Sequence, residues 1–461
     1  MSNSHIIQAI KSEAKNNLII SIPLIAAQLV YSSSGFIGTA FLAQLGDNTL
    51  AANILVSMIW MSLSVLFFGM LNSVSVLVSH QYGANNHKQI SHIMGQAIIL
   101  GVIVTIVMIL LLSTMPFFLR FTEQPPAVKL LALQAMHALL WMIPGLIILI
   151  IFEQFLAGIN RAKMVLRISL LVVPIEIPII YVLVFGKFGL PACGIAAIGY
   201  GLAITYTGTS IILGLYLLKS KQFSSFEIFK QMHFRHLYLL KELIRVGLPM
   251  GLMHVIEVST FAITTFWIGR FGTTLLAAHQ IAFQYLIFIT TVTFAMSQSV
   301  TVRVGHAVGR QELDGIKLSI YVGMGLNILC IAILSILLNT SPLLFLRLDI
   351  NIHDAANQLL ITDASALLSI SGVLMLFDNF RIIGFGALRG LKDTKFPMYA
   401  TCISFWFIGL GSAFLFAFIF NWQGKGIWWG LTFGIAIGAM IIFFRIQHLL
   451  KRIDLAALMQ I

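Results

Sequence analysis

Charge is scarce in this chain. Asp, Glu, Lys and Arg make up 10% of its 461 residues, where a soluble domain carries roughly 25%, so a water-soluble globule is excluded. Acidic residues are the scarcer sign, 16 against 28 basic ones. Only three cysteines occur, Cys193, Cys330 and Cys402. They lie far apart in sequence, which excludes a disulfide framework and a CxxC metal motif and leaves them as small packing residues of membrane spans. No GxxxxGK[ST] phosphate loop is present, so direct ATP coupling is excluded. No HExxH motif or nucleophile–base set is present either, so neither an enzyme nor a bound cofactor is expected.

Apolar residues fill the space that charge leaves. The chain is 59% hydrophobic, and runs long enough to cross a hydrocarbon core of about 30 Å recur along its whole length. Twelve are expected, at 18–43, 52–79, 94–118, 130–156, 165–185, 192–217, 246–269, 277–302, 318–340, 357–388, 396–420 and 427–447. The fold class that follows is an all-α integral membrane protein. Met1–Asn17 is polar, and the first apolar run is long enough to stay as a span, so a cleavable signal is not expected.

The twelve spans are six used twice. At an offset of 226, Pro23 meets Pro249, Leu50-Ala51-Ala52 meets Leu276-Ala277-Ala278, and His80-x-x-Gly83 meets His306-x-x-Gly309. Phe152-Glu153-Gln154-Phe155 meets Phe377-Asp378-Asn379-Phe380 at 225. Such a period marks a duplicated half-molecule, a common plan among secondary transporters. Two pseudo-symmetric six-helix lobes are expected: residues 1–218, then a cytoplasmic connector 219–245, then 246–461. An even number of spans per half makes the repeats parallel.

The net charge of +12 is a topology signal. With the amino terminus inside, 21 of the basic residues fall on cytoplasmic segments and six outside, with Arg381 left within a span. The six are Arg120, Lys129, Lys187, Arg270, Arg347 and Lys425. This asymmetry places both termini in the cytoplasm and gives no reason to expect nucleic acid. The connector, which includes Lys230 and Arg235, reads in part as an amphipathic helix on the inner surface.

Chemistry is expected where acids are stranded in apolar spans, since a carboxylate at mid-bilayer costs about 2.5–3.5 kcal/mol on insertion scales. Glu257 lies roughly 16 Å into the seventh span at 1.5 Å per residue, and Asp378 lies in the tenth. Each either binds Na+ or takes up a proton. Glu176 sits between Pro174 and Pro178 in the fifth span, where the prolines free backbone carbonyls. It is either an ion or substrate contact or the polar lining of a bent helix. His254 precedes Glu257 by three residues and Arg381 follows Asp378 by three, each on the face of its acid, as modulators or structural partners. Glu153 reads as interfacial, and His80 and His306 as residues of tight turns. The 35 phenylalanines and 19 methionines suit an adaptable cavity for lipophilic cations.

Three further segments carry a family resemblance. They are Gly386-Ala387-Leu388-Arg389-Gly390 with Lys392-Asp393-Thr394, Val302-Arg303-Val304-Gly305-His306, and Gly186-Lys187-Phe188-Gly189-Leu190-Pro191. Together they resemble multidrug and toxic compound extrusion (MATE) transporters, most closely the bacterial NorM-type branch, over essentially the full length. The resemblance implies two six-helix lobes in a V, with efflux of small cationic drugs or dyes from a monomer in the bacterial inner membrane. It implies a drive by Na+ or H+ entry, with the cation site at Glu257 and Asp378. Three positions depart from the family pattern. Gly38 stands where many members have an aspartate, so the ion or proton site of the first lobe is either missing or moved, with Glu176 as the candidate replacement. Arg381 replaces an uncharged residue, and Leu374 an aromatic hydroxyl. The runner-up reading is a lipid-linked precursor flippase of the related superfamily.

Overall fold

The computed structural model describes residues 3–119, 121, 123–228, 236–452, 455 and 458. Among these no strand occurs, and twelve helices are long and apolar enough to cross a membrane. Numbered in chain order they are α1 (Ser4–Ala43), α2 (Asp47–Gly83), α3 (His87–Phe117), α4 (Pro126–Gly158), α5 (Ala162–Phe185) and α6 (Ala196–Lys219). The second set is α7 (Leu237–Gly269), α8 (Thr273–Gly309), α9 (Leu313–Thr340), α10 (Ala355–Gly390), α11 (Lys395–Ile419) and α12 (Gln423–Arg452). Helices are the physical solution here because lipid offers no hydrogen bonds, so each backbone group must be satisfied within its own segment.

All twelve expected spans fall on these helices, most of which run beyond the apolar run at their ends. The main offset is at α6, which starts at Ala196 instead of 192. The chain first makes a turn held by Cys193 N–H donating to Leu183 C=O at 2.8 Å. Cys193 therefore lies ahead of α6 and not within a span. The turn begins at Gly186, which caps α5 at φ 65°, a left-handed conformation that glycine adopts without steric cost.

Two compact units divide the chain. One gathers the described residues of 1–21 and 252–460, the other those of 22–251. The dividing points fall inside α1 and α7, close to Pro23 and Pro249. Proline removes a backbone donor and weakens a helix at that point.

In the unit of residues 22–251, α4 and α6 approach closely where Gly199 meets the Ala138 backbone; a Cβ on Gly199 would stand 2.6 Å from the Ala138 carbonyl carbon. Val76, Val246 and Met250 form a small buried cluster in the same unit. The first part of the connector packs here too. Phe223 and Phe226 are buried, their rings 6.4 and 5.5 Å from that of Phe155, and Ser91 Oγ donates to Glu227 C=O at 2.8 Å. Lys230 and Arg235 of the connector, and Arg120 of the outer set, lie outside the described residues.

In the unit of 1–21 with 252–460, the opening stretch of α1 is fixed by polar contacts. Arg303 grips Glu13 with Nε at 2.9 Å from Oε1 and with Nη2 on Oε2. Ser319 Oγ donates to the same Oε1 at 2.8 Å, and Ser299 Oγ donates to the Asn17 carbonyl at 2.9 Å. A large apolar core centred on Leu367, Leu374, Phe405 and Trp428 completes the unit.

His80 and His306 correct the expectation of tight turns. Both are buried in the last turns of α2 and α8, with their carbonyls accepting from Ala84 and Arg310. The glycines beside them end the helices. The change of direction comes later, at Asn85 (φ 55°) and Gln311 (φ 58°), which are themselves repeat-equivalent.

Candidate functional site

The unit of residues 252–460 brings four of the expected residues together. Arg381 of α10 is the hub. Its Nη1 donates to Glu257 Oε1 of α7 at 2.6 Å, while Nη2 and Nε donate to Asp378 Oδ1 at 2.6 and 3.0 Å. His254 Nδ1 lies 3.3 Å from the other Glu257 oxygen, within reach of a hydrogen bond when Nδ1 carries the hydrogen. Local sequence makes half of this arrangement: both i,i+3 pairs stand one helical turn apart on a shared face. The other half, Glu257 to Arg381, spans 124 positions.

The arrangement is buried, with side-chain exposure of 2% for Arg381, 7% for Asp378 and 12% for Glu257. Aromatic faces complete it. The guanidinium carbon is 4.7 Å from the ring centres of both Phe385 and Phe405, a favourable placement for a cation. Phe405 belongs to a π-helical segment of α11, Cys402–Gly409. Leu374 is fully buried and adds no polar atom. Breaking a buried pair of this kind by removing one partner leaves an uncompensated charge, which costs about 3–5 kcal/mol.

A second site lies wholly in the unit of 22–251. Glu176 is fully buried, and Ser34 Oγ of α1 donates to its Oε1. The other carboxylate oxygen, Oε2, has no hydrogen-bond partner among the described residues. A cavity of about 350 Å³ has Glu176 in its lining, together with Tyr31, Ser34, Gly38, Trp60 and Tyr206 among others. Gly38 and Glu176 therefore border the same space, and no side chain at position 38 fills it. Pro174 and Pro178 lie within α5 on either side of Glu176.

Glu153 is more than an interfacial residue: it accepts a 2.7 Å hydrogen bond from Tyr31. Tyr31 stands 226 positions before Glu257, and Glu153 stands 225 before Asp378. The repeat offset alone was a sufficient signal for Tyr31, which residue type concealed because a tyrosine is unremarkable in a span. Glu13 carries no such signal: it belongs to the polar stretch ahead of the first apolar run, yet it is 5% exposed. Nothing in the sequence signals the buried set in which Trp428 Nε1 donates to His279 Nδ1 at 3.2 Å and His279 Nε2 meets Thr265 Oγ1 at 2.8 Å. Among the described residues, no group of three or more His, Cys, Asp or Glu side chains is arranged to hold a metal ion.

Comparison with known proteins agrees with this architecture. The MatE family model matches residues 23–182 and 249–415, one match in each repeat. The chain is 31% identical over 448 residues to the probable multidrug resistance protein NorM of Rhizobium meliloti, covering 95% of this chain and 94% of that one. The corresponding protein of Burkholderia mallei is 32% identical over 431 residues, covering 93% and 91%. Among solved structures, an outward-facing multidrug resistance MATE family transporter of the MOP superfamily shares the fold with a TM-score of 0.85 at 17% identity, over 98% of both chains. A eukaryotic MATE transporter gives 0.82 at 19% identity, again over 98% of both. With the family model spanning most of both repeats and relatives above 30% identity along nearly the whole length, the chain belongs to the MATE transporter family.

Proposed function

We propose that this protein is a secondary active multidrug transporter that exports small organic cations by antiport with Na+ or H+. The observation that carries this reading is the buried acid pair Glu257 and Asp378, drawn onto one guanidinium in the unit that also holds a large apolar core. A drug cation and a coupling cation that both require these carboxylates compete for them. Each then weakens the other's binding by the same factor, so entry of one releases the other.

Arg381 and His254 modulate the pair by holding three of its oxygens. Glu176 is the acid of the other unit, where Gly38 leaves the cavity open. In this reading the protein is a monomer of the bacterial inner membrane with both termini in the cytoplasm, since the basic residues concentrate on that side.

The test is transport of a cationic dye in proteoliposomes under separately imposed Na+ and pH gradients. At least one gradient is expected to drive the dye. Glu257→Gln and Asp378→Asn are each expected to slow it by about tenfold or more, the scale of one lost charge-assisted contact. Full gradient-driven transport in both variants would overturn the reading. Transport lost only in Glu176→Gln would move the coupling site to the other unit.

A further inference from the structure

The acid pair Glu257–Asp378 already has a cation, and it is covalently part of the protein. Arg381 makes three charge-assisted hydrogen bonds to the pair, two onto Asp378 Oδ1 and one onto Glu257 Oε1. His254 faces Glu257 Oε2. Three of the four carboxylate oxygens are thus directed at nitrogen donors. A hard cation needs several oxygen ligands converging on one point, and here the point of convergence is the guanidinium.

The remaining surroundings favour the arginine as well. Phe385 and Phe405 present their rings to the guanidinium at 4.7 Å. Rings attract the diffuse charge of a guanidinium, which is weakly hydrated, but they give no oxygen to a small ion. A second buried guanidinium, Arg389, sits on the same helix eight residues on, about 12 Å away at 1.5 Å per residue. It is held by Ser297 Oγ at 2.7 Å. An added Na+ would face repulsion from both in a poorly screened interior.

We propose that Arg381 is a tethered counter-ion which takes the place of a mobile alkali cation between Glu257 and Asp378, so that this pair does not bind Na+. Arg381 is then the residue that sets ion specificity. The charge that the pair needs when no drug is bound comes from the arginine, and any ion coupling at this site is independent of Na+. The inference rests on the reading of Glu257 and Asp378 as the cation-facing pair.

The experiment measures retention of radiolabelled Na+ by the purified full-length protein, separately from transport. The wild type is expected to show no Na+ binding that Glu257→Gln removes. Arg381→Gln, which keeps a hydrogen-bonding side chain but loses the charge, is expected to gain about tenfold in Na+ retention. Adding Asp378→Asn to it should take the gain away. Wild-type Na+ binding that is lost in Glu257→Gln overturns the proposal, and this arm decides the matter even if Arg381→Gln does not fold. A monodisperse Arg381→Gln protein with no gain overturns it too. Failure of dye transport in the same preparations bears on the transport reading alone, because the Na+ arms do not depend on it.

Discussion

The Tyr31 hydroxyl donates a 2.7 Å hydrogen bond to Glu153, and the two residues occupy the repeat positions of Glu257 and Asp378. The duplicated body has therefore kept a polar contact between the same two helices of each repeat, with different chemistry. One repeat joins a phenol to a single acid. The other joins two acids through an arginine, whose own repeat position is taken by Leu156.

Loss of the Tyr31 hydroxyl should be felt directly. A hydrogen bond to a carboxylate contributes about 1.5–3 kcal/mol, so Tyr31→Phe is expected to destabilise the protein by about that amount. The measurement is the apparent Tm in detergent. The double variant Tyr31→Phe/Glu153→Gln should recover part of the loss, because no charge is left unpaired. An unchanged Tm in Tyr31→Phe would show that the contact carries no weight.

Glu13 and Arg303 form the second test. Both are mostly buried, with side-chain exposures of 6% and 11%. Removing either partner is expected to cost about 3–5 kcal/mol, the usual penalty for orphaning a buried charge. Glu13→Gln and Arg303→Gln combined should cost less than the sum, with a coupling of about 0.5–3 kcal/mol in a double-mutant cycle. Additive losses would show that the two residues act independently.

Two glycines should respond in opposite ways to alanine. A Cβ on Gly38 would meet only Ile198 Cδ1, at 3.6 Å, an ordinary contact. Gly38→Ala is therefore expected to stabilise α1 by about 0.5–1 kcal/mol through backbone entropy. At Gly199 the added carbon would fall 2.6 Å from backbone, and overpacking of that kind costs about 1–3 kcal/mol. Thermal unfolding of the two variants side by side decides it. A stable Gly199→Ala protein would mean that α4 and α6 do not pack this tightly.

How much of the site the sequence revealed depended on the range of the contact. His254 with Glu257 and Asp378 with Arg381 were legible because three residues make nearly one helical turn. That neighbour relation survives whatever the helix later packs against. The link from Arg381 to Glu257 was not legible, since it joins two helices whose rotation about their own axes is set by packing. Glu176 was legible as a buried acid between prolines. That Gly38 borders the same cavity depends on how α1 and α5 lie within their unit.

The twelve spans, the duplication and the identity of the stranded acids follow from the order of residues alone. A hydrocarbon layer of about 30 Å requires long apolar runs, and the cost of charge inside it makes every exception conspicuous. The packing of the helices settles what neutralises those acids. It gives Asp378 and Glu257 a shared arginine, gives Glu153 a tyrosine, and sets Glu176 beside a cavity with one oxygen unpartnered among the described residues. The physical reason is that charge in a low-dielectric interior is settled by the nearest partner in space, and proximity between distant segments is a product of folding.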